Sequence, residues 1–176
     1  MHIRYLLIPL SLVFGFIFFG FFGLALAVIF FIIWFDKALV WFFGSVGIEL
    51  TTISMIMIGI MHGPLVGFFF ALVILPSLEG MKTFYLPAAQ AEWPPFFPSP
   101  YHLLDGIVAT IAWLLSSTPL FLVMIIALLV KYPLTGLIDE FVVGKPPNIL
   151  RLLFVFVFNM ILVVYLKDLF LNIMLL

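Results

Sequence analysis

Four long apolar blocks, residues 5–34, 48–78, 103–130 and 152–176, take up most of this chain and leave only short polar joints between them. A helix that crosses the hydrocarbon core of a bilayer needs about 20 predominantly apolar residues, and every block is long enough. Of the 176 residues, 66% are hydrophobic and 9% are charged, with mean hydropathy +1.41. A soluble domain is nearer 45–50% apolar and about 25% charged. A soluble fold of this size leaves much of its area wet, so the composition calls for lipid as the solvent. The expectation is one all-α integral membrane domain over 1–176, multi-pass, in the cell (plasma) membrane.

Other classes fall away on simple grounds. The N-terminal apolar run is far longer than the roughly 7–15 residues of a signal-peptide core. Seven basic and eight acidic residues give a nearly neutral chain, with no basic patch for nucleic acid. With no cysteine there is no disulfide and no thiolate metal site.

The number of crossings turns on breakers inside two blocks. In the second block His62 is followed by Gly63-Pro64. Proline lacks an amide hydrogen and disfavours helix in the residue before it, yet it suits the first turn of a new helix. In the third block Ser116-Ser117-Thr118 precede Pro119, which reads as cap residues followed by proline at the first helical position. Splitting both blocks gives a compact bundle of six transmembrane helices. Keeping both intact gives four long kinked helices. The loop over 87–100 holds Trp93, Phe96 and Phe97 among several prolines, which predicts irregular backbone packed at the mouth of the bundle.

The stretch 47–80, an apolar helix, then His62-Gly63-Pro64-Leu65-Val66-Gly67, then a second apolar helix, resembles the hairpin of S-components. These are the substrate-binding membrane subunits of energy-coupling-factor vitamin transporters. It is also similar to the membrane subunit of the bacterial rod-shape system. The resemblance implies six crossings, a small-molecule substrate and further membrane subunits as partners. S-components often present Ala-x-x-x-Ala on the first helix, where this chain has Ser11, Gly15, Gly20 and Gly23.

Polar groups inside lipid are costly and often functional. Three residues are candidates for binding a substrate. Asn159 lies in the last apolar block, and it reads equally as a hydrogen bond between helices. Trp113 offers a ring to stack on a flat ligand, or is simply lipid-facing. Asp105, three residues after His102, reads as a pocket residue or as a helix cap. Glu49 and Asp139-Glu140 are candidates for a pocket mouth. Gly59, Gly63, Pro64 and Gly67 read as helix-packing and turn residues, since small side chains let membrane helices approach closely. No protease, metallohydrolase or haem motif is present: residues 44–47 read GSVG and there is no His-Glu-x-x-His. The chain is therefore expected to be non-enzymatic, without metal or cofactor. The function is expected to be that of a small-molecule transport subunit; a structural or scaffold subunit of a larger membrane complex is the alternative. A binding subunit needs a pocket with several convergent polar groups, and a scaffold needs none.

Overall fold

The computed structural model describes residues 3–39, 48–85 and 93–176. Among them the regular structure is helical, with no strand. The helices are α1 (Ile3–Gly20), α2 (Leu24–Trp34), α3 (Thr51–Phe69), α4 (Leu75–Tyr85), α5 (Pro100–Leu114), α6 (Leu120–Ile138) and α7 (Ile149–Met174). Wider π-helical turns extend α2 over Phe35–Leu39, join α3 to α4 over Phe70–Ile74 and extend α6 over Asp139–Val143.

The chain reverses at Gly63. Its φ of +79° and ψ of −179° lie outside the helical region, a conformation glycine adopts without strain. Pro64 then restarts the helix, where its missing amide hydrogen costs nothing. Contacts on either side establish a fold-back rather than a bend. A Cβ on Gly59 would lie 2.1 Å from the Ala109 carbonyl oxygen, and one on Gly67 would lie 2.4 Å from the Ala109 Cβ. Two residues eight apart thus meet the same alanine. At the far end of the arms, Asp36 binds Thr51 while its neighbour Lys37 binds Glu79. A straight helix would hold residues 51 and 79 about 42 Å apart.

A second reversal was not expected from the sequence. The block 5–34 is not one helix: it turns at 21–23, where Gly23 has φ +137°. The arms α1 and α2 lie antiparallel, tied by a hydrogen bond from Trp34 Nε1 to Ser11 Oγ at 3.0 Å. The Phe30 ring fills the space a Cβ on Gly15 would need, and Phe19 and Phe30 pack as tilted rings with centroids 4.9 Å apart. A glycine on either side of Phe21-Phe22 frees the backbone to turn. The third block breaks at 115–119 as expected, but with a different cap. Pro119 is the residue before α6, not its first helical residue, and no side chain caps that terminus.

Successive arms therefore run alternately between two ends. Residues 51–59 are buried on every side, so the first arm of the Gly63 hairpin is the centre of the bundle. Among the described residues three segments are long and apolar enough to cross a membrane: Thr51–Thr83, Leu120–Val143 and Ile149–Met174. The first of these is the folded hairpin. Its arms, 51–62 and 64–83, rise about 18 Å and about 30 Å.

Candidate functional site at the charged end of the bundle

One end of the bundle gathers almost all of the charge. Asp36 and Lys37 reach it at the end of α2, Glu49 just before α3, and Glu79 and Lys82 on α4. His102 and Asp105 come from α5, Lys131 from α6 and Arg151 from the first turn of α7. They surround an open cavity of about 750 Å3.

At its floor the Lys131 ammonium is fully engaged. It donates to Glu49 Oε1 at 2.9 Å, to Thr52 Oγ1 at 2.7 Å and to Asp105 Oδ1 at 2.7 Å. Those are all three donors an ammonium has. Lys131, Asp105 and Thr52 are buried, so the contacts offset the cost of taking these charges out of water. The Glu49 carboxyl is drawn down to about 2. Burial alone would raise it, and the positive charges of Lys131 and Lys37 outweigh that.

A second set lies beside the first. The Ser99 backbone N–H donates to His102 Nδ1 at 2.9 Å. That places the imidazole proton on Nε2, which donates to Glu79 Oε2 at 3.2 Å. The other Glu79 oxygen faces Lys37 Nζ, also at 3.2 Å. Ser99 is the last residue before α5, so this bond ties the aromatic loop to the charged floor. Across the mouth, Tyr101 donates to Asp139.

The loop 93–99 closes one side. Trp93, Phe96 and Phe97 line the cavity, and Phe96 has φ +66°, unusual for a residue with a side chain. Its ring lies over Gly80, 2.7 Å from where a Cβ would be. Irregular backbone at the mouth agrees with the sequence expectation for 93–99; residues 86–92 lie outside the described residues.

The three candidate binding residues occupy different places. Asp105 lines the cavity. It is mid-helix and bound to Lys131, so the capping expectation gives way: the residue before the helix is Ser99. His102 and Asp105 have different partners, Glu79 and Lys131, and no cluster of three or more metal-ligating side chains occurs among the described residues. Asn159 sits just beneath the cavity. Its Nδ2 donates to Val155 O at 2.9 Å and to the Tyr132 hydroxyl at 3.4 Å, linking α7 to α6. Trp113 is at the opposite end, half-exposed, with its ring edge near Gly63. Glu49 and Asp139 line the cavity, whereas Glu140 does not.

Sequence reasoning passed over Lys131, Lys37 and Glu79. Lys131 carried a usable signal. A lysine deep in an apolar helix must find a partner, and Glu49 and Asp105 were the carboxylates to consider. The chain matches no protein-family model, no curated protein and no solved structure.

Proposed function

We propose that the protein is a non-enzymatic, multi-pass membrane subunit that binds a small molecule in the charged cavity and serves transport across the cell membrane with further membrane subunits. The observation that supports this reading is the cavity itself. Carboxylates, ammonium groups, a histidine and aromatic rings from six stretches of chain converge on it, as a ligand pocket requires and a passive scaffold does not. The hairpin about Gly63-Pro64, the feature on which the resemblance to S-components rests, places Glu49 and Glu79 at the same end.

The alternation of arms suggests an orientation. Six of the seven Lys and Arg residues, Arg4, Lys37, Lys82, Lys131, Lys145 and Arg151, belong to the mouth end, and Lys167 lies toward the other. By the positive-inside rule the mouth faces the cytoplasm. The reversal at 21–23 adds one arm to the six helices expected from sequence, so the start of α1 and the end of α7 fall at opposite ends.

The test is direct. Protein extracted from its membranes in mild detergent should carry a co-purifying small molecule in native mass spectrometry. Thr135→Trp, which fills the cavity from α6, should remove it. A protein that never carries a small molecule but always co-purifies with other membrane subunits would favour the scaffold instead.

A further inference from the structure

The last helix has two faces. Val155, Asn159, Val163, Phe170 and Ile173 are buried against the bundle. On the opposite face Leu150, Phe154, Val157, Ile161, Val164 and Asp168 are exposed, spaced alternately four and three residues apart. That is the heptad rhythm of a helix that packs along a second helix. Val157, Ile161 and Val164 also line a shallow apolar groove on this face.

Lipid satisfies the apolar members of this stripe as well as protein does, but it does not satisfy Lys167 and Asp168. Both are exposed, and among the described residues neither makes an ion pair or a hydrogen bond. Neighbours in sequence point apart on a helix, so they do not neutralise each other. With Arg151 at the mouth-side boundary of the hydrocarbon, Asp168 lies about 26 Å further along the helix, short of the roughly 30 Å of the hydrocarbon core. Eight residues follow it, with Asn172 the one polar side chain among them. A lysine stem can reach toward headgroups; the aspartate carboxyl, on a single methylene, cannot. Charged groups at such a depth call for a partner.

We propose that the outer face of α7 is the contact between two copies of the protein. Both copies cross the membrane in the same direction, so their α7 helices run parallel about a twofold axis along the membrane normal. In a parallel pair each seam side chain enters a hole between four residues of the facing helix. For Asp168 that hole is formed by the partner's Val164, Lys167, Asp168 and Leu171. The carboxyl thereby meets the partner's Lys167, and the twofold axis repeats the pair. The two carboxylates across the seam are each matched by an ammonium from the facing copy. A second copy thus supplies the missing charges from this sequence alone. The cavity lies on the inner side of α7, so the contact does not depend on ligand binding.

Two measurements on the full chain test this. In mild detergent, light scattering should give a protein mass of twice the 20.0 kDa chain. Lys167→Asp alone and Asp168→Lys alone each leave a single sign of charge on both copies, and each should reduce the dimer to monomer. Mixing the two single variants matches acid against base and should bring the dimer back. In native membranes, the chain's lack of cysteine makes single-cysteine oxidation clean. Val164→Cys should form a disulfide-linked dimer, and Leu129→Cys, exposed on α6, should not; this comparison needs no charge variant. A monomeric mass together with a Val164→Cys yield no higher than that of Leu129→Cys overturns the proposal. A dimer indifferent to both charge substitutions overturns it by placing the contact elsewhere. Cross-linking of Val164→Cys to a different polypeptide overturns it too, because another subunit then covers the face.

Discussion

At the mouth, Lys131 is gripped by side-chain oxygens from residues 49, 52 and 105. At the opposite end the chain reverses at 21–23, at Gly63 and at 115–119 without one Asp, Glu, Lys or Arg. The mouth is held by directional contacts between costly buried charges, each of which depends on the others. The turn end is held by proximity, with Gly59 and Gly67 both against Ala109. Packing of this kind suits a lipid environment, where there is no hydrophobic drive between helices. It is also insensitive to pH and salt. The contrast separates a part of the molecule held by titratable groups from a part held by close packing.

The strongest way to break the mouth is Lys131→Met. It strands two carboxylates that share one cation, and we expect a loss of about 3–5 kcal/mol, the usual cost of removing one partner of a buried pair, read from thermal or denaturant unfolding in detergent. Adding Asp105→Leu to that variant should recover part of the loss, because it removes one of the stranded charges; a double variant whose loss equals the sum of the two single losses would place the pair outside a shared network.

Acid attacks the same end. The Glu49 carboxyl lies below its ordinary value of 4.5, at about 2 when folded. A depressed carboxyl contributes stability that is present above the unfolded value and lost as pH falls through the folded one. Stability should therefore decline from about pH 4.5 to about pH 2, by up to roughly 3 kcal/mol for this group. Glu49→Gln should flatten that slope in a pH series of unfolding curves.

Gly59→Ala probes the packed end. The new Cβ would press on the backbone of Ala109, and backbone yields little. A loss of about 1–3 kcal/mol is expected, with no change between pH 7 and pH 5. The smallest effect belongs to Gly20→Ala. Nothing lies within 4 Å of that site, and alanine is the better helix former by up to about 1 kcal/mol. Its melting temperature should hold or rise slightly, and a clear fall would mean that the 21–23 turn is more tightly built than its open surroundings suggest.

Much of this was legible in the sequence. The apolar blocks, the breakers at Gly63-Pro64 and before Pro119, and the irregular aromatic loop all follow from residue chemistry. The 21–23 turn was hidden because Gly20-Phe21-Phe22-Gly23 carries no proline and no polar residue. Hydropathy runs through it undisturbed, and only the backbone freedom of its glycines marks it. The candidate site was half visible. Asp105 and Glu49 stood out as carboxylates near apolar helices, but Lys131 was passed over as part of a continuing apolar run. Their meeting spans 82 residues from Glu49 to Lys131, and no local pattern reports a contact of that range.

The uncharged reversals bear on how such a chain is made. Residues 21–23, 61–65 and 115–119 contain nothing more polar than His62 and a Ser-Ser-Thr run. A charged side chain carried to the centre of a bilayer costs about 2.5–3.5 kcal/mol on insertion scales, and these loops ask for none of that. Each pair of arms can enter lipid as a closed hairpin, its tip slipping through first, while the residues that later assemble the cavity stay behind on the side of synthesis. A single lysine placed in one tip, as in Phe22→Lys, should stall that hairpin on the wrong side long before it disturbs any contact in the finished fold.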